Sequence, residues 1–176
     1  MPDIGIILGS DSDLPRIKDC FRILDDFSVS YEIIVASAHR TPAKAMEWAS
    51  SARSRGIKVI IAVAGGAAHL PGVVAAHTTL PVIGVPIETK ISGGLDSLLS
   101  IVQMPSGIPV ATMPMGSAGG PNAALFAINI LGSSDPAIAG RIEAFRKEMA
   151  EKIELKNEEL NKLGVHDYIN TIEDRR

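Results

Sequence analysis

The sequence predicts a three-layer α/β/α sandwich on a doubly wound parallel sheet, and three observations carry that expectation. Short apolar runs alternate with helical patterns along most of the chain. Within each run the apolar residues are consecutive, which buries both faces of a strand, as when helices cover a parallel sheet on either side. The length of 176 residues suits one such domain, with right-handed crossovers, and a short appendage.

In order, the strand runs are Ile4–Leu8, Ile33–Ala36, Val59–Val63, Val82–Val85 and Val110–Met113. Helical patterns fall between them, at about 13–26, 42–55, 67–77, 93–102 and 120–132. Gly9 permits a tight turn before the first helix, Ser12 or Asp13 is expected to cap it, and Pro15 suits its first turn. Ligands of open α/β sheets collect at the carboxyl ends of the strands. That rule selects the loops beginning near Gly9, Ser37, Ala64, Pro86 and Pro114, which are also rich in Gly, Ser, His and Pro.

The end of the chain differs. Asp135 is a good N-cap, Pro136 suits the first helical position, and Gly164 suits a helix stop. Between them Ile138, Ile142, Phe145, Met149, Ile153, Leu160 and Leu163 form one apolar stripe. Such a helix is a rod of roughly 42 Å, longer than a domain of this size is wide. The expected division is an α/β domain over 1–134 and a helical extension over 135–176, packing partly on another subunit; a helix that wraps its own domain and then frays is the competing reading.

Composition narrows the function. A hydrophobic fraction of 46% with 21% charged residues excludes a disordered chain. A net charge of -3 with no Lys/Arg cluster argues against nucleic acid. No apolar stretch approaches the ~20 residues of a membrane span. Cys20 is the sole cysteine, so no intrachain disulfide or cysteine zinc site forms; on the stripe Ile17, Cys20, Phe21, Leu24 it reads as a buried structural thiol. The chain opens directly on a strand run without a signal-like segment, and a cytoplasmic location is expected. His39, His69 and His77 belong to separate elements, which argues against a metal site. Aromatic residues at 4% leave little to stack on a flavin, which argues against the usual occupant of a flavodoxin-like sheet.

Three loops carry candidate chemistry. In Gly9-Ser10-Asp11-Ser12-Asp13, free N–H groups and the Ser10 and Ser12 hydroxyls suit a phosphate. Asp13 would repel one, and as an acceptor it suits ribose hydroxyls instead; a well-capped helix without a ligand is the competing reading. In Ser37-Ala38-His39-Arg40-Thr41-Pro42, Arg40 suits a phosphate, with help from the Ser37 hydroxyl. His39 can give and take a proton near neutral pH. In Ala64-Gly65-Gly66-Ala67-Ala68-His69, Gly65, Gly66 and Ala67 let a flat ligand approach the backbone and leave N–H groups free for an anion. His69 either lines the pocket or caps the next helix. Small and polar residues from Ser92 to Pro105 (Gly93, Gly94, Asp96, Ser97, Ser100, Gln103) can finish a pocket. Glu47, Trp48 and Glu88 read as surface or packing residues, and His77 and His166 receive no role.

Taken together, the loops resemble the family of 5-(carboxyamino)imidazole ribonucleotide mutase, the catalytic subunit of phosphoribosylaminoimidazole carboxylase, over about Ile4 to Leu131. The carriers are GSDSD at Gly9–Asp13, SAHRTP at Ser37–Pro42, AGGAAHLPG at Ala64–Gly72 and GLDSLLSIVQMP at Gly94–Pro105. The resemblance implies an enzyme of purine biosynthesis that needs no metal or cofactor and shifts a carboxyl group from the exocyclic nitrogen to carbon 4 of an imidazole ribonucleotide. It implies His39 as the acid/base, Ser10 and Asp13 as nucleotide contacts, Arg40 on the phosphate, and the glycine-rich loop with His69 around the carboxyl group. It also implies a homo-octamer. RTP after His39 and HLPG at His69–Gly72 resemble the bacterial mutase branch rather than the branch that carboxylates aminoimidazole ribonucleotide directly. Met113–Pro121 departs from the expected alanine-rich form through Pro114 and Pro121. Direct carboxylation and a non-catalytic nucleotide-binding module are the alternatives.

Overall fold

Ile4–Leu8 forms strand β1 and is buried at all five positions, as a doubly covered strand must be. The structure, a computed structural model, describes residues 1–174; positions 175–176 of the expected extension lie outside them. After β1 come a 3-10 run at Asp11–Ile17, α1 (Lys18–Asp26), β2 (Tyr31–Val35), α2 (Pro42–Ser51), β3 (Val59–Gly65), α3 (Leu70–Ala76) and β4 (Val82–Ile87). Then follow α4 (Leu95–Val102), β5 (Ala111–Thr112), α5 (Gly119–Gly132), α6 (Pro136–Leu163) and α7 (Val165–Glu173). The sheet is parallel throughout in the order β2-β1-β3-β4-β5. The order in which successive strands join the sheet reverses between β1 and β3, and Leu8 sits in register with both Val35 and Val63. β1 and β2 end level while β3 runs two residues further to end level with β4, and the loops leaving them share one rim.

The two faces of the sheet read directly from strand parity. Ile4, Ile6, Leu8, Val59, Ile61 and Val63 point to a core completed by Ile17, Cys20 and Leu24 below and by Ala123, Ala127 and Ile128 of α5. Ile7, Ile60, Ala62 and Ala64 point to the opposite core with Ala45, Ala49, Leu70, Val74 and Ile101. Ile61 is wholly buried, and truncating such a side chain to Ala costs about 2–5 kcal/mol. Gly5 has a packing reason: a Cβ there would lie 2.8 Å from the Trp48 ring. Trp48 is thus a packing residue, with Arg55 stacked 5.3 Å from its ring centroid. Cys20 is fully buried, as its stripe predicts.

Several expectations need correction. Ser10, not Ser12 or Asp13, caps the first helical segment, accepting from the Ser12 N–H at 3.3 Å, because helical backbone begins at Asp11. Pro15 accordingly lies inside the 3-10 run rather than in a first α-turn. Gly9 needs no left-handed φ; its N–H prolongs the sheet by bonding Val63 O at 3.1 Å. The edge strand β2 is not buried on both faces, since it has one neighbour and leaves Ile33 and Val35 exposed. Proline 86 stands inside β4, tolerated because β5 pairs only with Ile83 and Gly84 and leaves that side open. Pro121 falls in the first turn of α5, where a missing N–H costs nothing.

The long helix runs Pro136–Leu163 with Asp135 accepting from the N–H groups of Ala137 and Ile138, and it stops at Gly164. Ile138 is buried and Ile142 and Phe145 pack on the α1–α5 core. Further along, Met149 and Ile153 are more than half exposed. The short α7 beyond Gly164 was not expected. Among the described residues no helix is long and apolar enough to cross a membrane.

Candidate active site

The strand ends border a cleft of about 630 Å³ where the loops after β1, β2, β3 and β4 meet. Gly9, Ser10 and Asp13 line it from the first loop; Ser37, Ala38, His39 and Arg40 from the second; Ala64–Ala67 and His69 from the third. Every residue singled out in those loops meets there except Ser12, whose hydroxyl lies 2.7 Å from that of Ser10, itself a lining residue.

The second loop is organised by its first residue. The Ser37 hydroxyl accepts from the N–H groups of His39 and Arg40 at 3.3 and 3.2 Å, while its own N–H donates to Thr41 Oγ1 at 2.8 Å. This holds the loop as a tight turn and still leaves the Ser37 hydroxyl hydrogen available to a ligand. Arg40 donates from Nη2 to Gly9 O at 3.0 Å. Among the described residues no carboxylate pairs with Arg40. A guanidinium held at one arm and otherwise uncompensated suits an anion.

His39 Nε2 lies 2.8 Å from His69 Nδ1, with the rings edge to face at 77° and centroids 4.9 Å apart. One hydrogen occupies that gap, so one ring donates and the other accepts through a neutral nitrogen. The outer nitrogens, Nδ1 of His39 and Nε2 of His69, remain open to a ligand. His69 occupies the N-cap position of α3 but makes no side-chain cap bond. Of its two expected roles, lining the pocket is the one the geometry supports.

Burial pushes the Asp13 carboxyl above its ordinary value, against a hydrogen bond from Ser12 and the charge of Arg16, while Asp11 adds to the rise. A half-buried carboxylate without a cation in contact gains from hydroxyl donors.

The glycine loop corrects one expectation and adds a residue. Its N–H groups are mostly committed: Gly66 to Ser97 Oγ at 2.8 Å, Ala68 to Gly66 O and His69 to Ala67 O. Among the described residues the Ala67 N–H of this loop has no partner and remains for a ligand. Gly66 adopts φ +68°, which a side chain would strain, and a Cβ on Gly65 would press on Ile87 at 3.2 Å. Glu88 and Thr89 also line the cleft. The apolar run stops at Val85 and so suggests a surface or packing role for Glu88, whereas β4 continues to Ile87 and delivers Glu88 to the rim. Gly93, Gly94, Asp96 and Gln103 do not line it, and α4 contributes by support from behind.

A parallel sheet of order 2-1-3-4-5 with a polar cleft at its point of reversal places the chain in the flavodoxin-like α/β class. The match to a family model is narrower. The model described as AIR carboxylase covers residues 3–152, and the chain belongs to that family. The N5-carboxyaminoimidazole ribonucleotide mutase of Pyrococcus horikoshii is 56% identical over 168 residues, covering 96% of this chain and 94% of its own length. The mutase of that name from Thermotoga maritima is 51% identical over 170 residues, covering 97% and 98%. The crystal structure of Treponema denticola PurE matches with a TM-score of 0.81 at 28% identity, over 91% of this chain and 99% of that one.

Proposed function

We propose that this chain converts 5-(carboxyamino)imidazole ribonucleotide to 4-carboxy-5-aminoimidazole ribonucleotide, a step of purine biosynthesis, with His39 as general acid and base. The observation that carries the mechanism is the 2.8 Å contact between His39 Nε2 and His69 Nδ1 inside the cleft. The substrate's C–N bond to the carboxyl group breaks as His39 gives a proton to the exocyclic nitrogen. Carbon 4 of the ring then attacks the freed carbon dioxide, a C–C bond forms, and the carbon 4 proton returns to His39. Protons and charge balance, and the histidine pair ends as it began. His69, sharing one hydrogen with His39, steadies whichever ring is neutral at each stage.

The nucleotide's charges sort themselves among the loops. Arg40, the Ser37 hydroxyl and Ser10 with Ser12 suit the phosphate, while Asp13 accepts from ribose hydroxyls. Gly65, Gly66 and Ala67 border the carboxyl group, where an enclosed site keeps carbon dioxide from hydrating. None of these steps calls on a cofactor or a metal.

The family description as a carboxylase favours a second reading, direct addition of carbon dioxide to aminoimidazole ribonucleotide. Isotopic carbon separates the two. A labelled carboxyamino substrate in an unlabelled bicarbonate pool should yield labelled product; product carrying only pool carbon would remove the mutase reading.

We further infer a homo-octamer in which the far half of α6 lies on a neighbouring subunit. Support comes from the exposed apolar residues Met149, Ile153 and Leu155 on α6 and from Leu95, Leu99 and Val102 along one side of α4. Ending the chain at Ser134 should reduce the mass measured by light scattering, and an unchanged oligomer would refute the bridging role.

A further inference from the structure

Among the described residues Ser97 alone is polar and fully buried. A serine inside a helix ordinarily returns its hydroxyl to the carbonyl one turn back, as Ser100 does with Asp96 O at 2.8 Å. Ser97 does not. Its hydroxyl donates to Ile87 O at 2.7 Å, at the end of β4, and accepts from Gly66 N–H at 2.8 Å, in the loop after β3. One buried hydroxyl thus ties helix, strand and glycine loop together.

The next peptide is held as well. Gly66 O accepts from Ala68 N–H at 2.8 Å and receives only the long arm, 3.4 Å, of the Ser100 hydroxyl hydrogen whose short arm goes to Asp96 O. In a trans peptide the N–H points opposite to the C=O, so a carbonyl drawn toward α4 turns the Ala67 N–H away from it. Ala67 lines the cleft, and its N–H is the loop donor without a partner. His69, two residues on, sits at the end of the same constrained segment.

We infer that Ser97 is a positioning residue for retention of the migrating carboxyl group. By fixing the Gly65–Gly66 peptide at its N–H, with the Gly66 carbonyl held by Ala68 N–H and more weakly by Ser100, it anchors the start of the turn that sets the Ala67 N–H where it can hold one oxygen of the carboxyl group or of freed carbon dioxide. The gas is then captured by carbon 4 before it leaves. This rests on the mutase reading above. When retention fails, the C–N bond has already broken and the exocyclic nitrogen has its proton. Aminoimidazole ribonucleotide and carbon dioxide then depart without product.

The test follows the fate of carbon in the full-length protein. Substrate labelled in its carboxyl group is turned over in an unlabelled bicarbonate pool, and the ratio of label lost to label retained in product is measured after subtracting enzyme-free loss. Tm is measured alongside. In Ser97→Ala this ratio should rise about tenfold, as expected when a held donor shifts and its partner is left unpaired. Ser100→Ala, losing only the longer contact, should raise it less in the same direction. A lower Tm with an unchanged ratio in Ser97→Ala would make the residue merely structural and overturn the proposal. If Ser97→Ala does not fold, Ser100→Ala decides by the same ratio, and no change there overturns it. A parent protein whose product carries only pool carbon sinks the mutase reading itself, and this role with it.

Discussion

The two ends of the sheet treat the same residue type in opposite ways. At the amino end, Asp3 meets Lys58 Nζ at 2.8 Å and the Ser30 hydroxyl at 2.9 Å. Burial alone would raise its carboxyl, but these partners outweigh it and the net shift is downward. At the carboxyl end, burial pushes Asp13 upward, and among the described residues no ion pair reverses it, the charge of Arg16 only offsetting it in part. One end closes its charges on itself. Among the described residues the other leaves Asp13 and Arg40 without an ion pair and the His39–His69 pair with its outer nitrogens facing the cleft, which is the condition for meeting a ligand and a cost to the fold.

The largest test of this contrast is His39→Asn. Turnover should fall by roughly 10²–10⁴-fold, the usual worth of a positioned acid/base, while calorimetry still shows nucleotide binding. Normal turnover would remove His39 from the mechanism. Asp13→Asn comes next. It should weaken substrate binding by about tenfold, the worth of a charge-assisted hydrogen bond, yet leave Tm unchanged or higher at neutral pH. The sign follows from linkage: a carboxyl raised in the folded state destabilises it fully above that raised value, and the penalty fades as pH falls toward the ordinary 3.8. The Tm advantage of the variant should fade with it. A clear loss of Tm at neutral pH would mean that Asp13 is structural.

The smallest expected effect is at Asp3. Its lowered carboxyl stabilises the fold above the ordinary value of 3.8 and loses that contribution as pH falls through the lower, folded value. Asp3→Asn should therefore cost a little Tm at neutral pH, nothing in strong acid, and leave turnover unchanged. Altered turnover would show that the two ends are coupled.

The contrast also explains what was legible beforehand. Parallel strands announce themselves because both faces must be apolar, and Ile4–Leu8 appears at its full length. Helix α6 was bounded correctly at Asp135, Pro136 and Gly164 because caps are local chemistry. Ser10, Asp13, Ser37, His39, Arg40 and His69 were visible because chemistry-bearing side chains cluster at strand ends. Glu88 was missed because β4 extends past its apolar run, and α7 because nine residues after a glycine carry no cap. The Ser97 bridge links helix α4 to two distant loops, and one-dimensional spacing holds no trace of such a tie.

Cys20 lies wholly buried in the core under the sheet, and burial pushes its thiol up to about 12. In the folded protein it is both unreachable and un-ionised, so thiol reagents should find nothing to modify. Each modification event then marks an opening of the core. The chain carries one built-in reporter, and the slow rate at which a thiol-reactive dye attaches to it becomes a clock for how often the molecule comes apart.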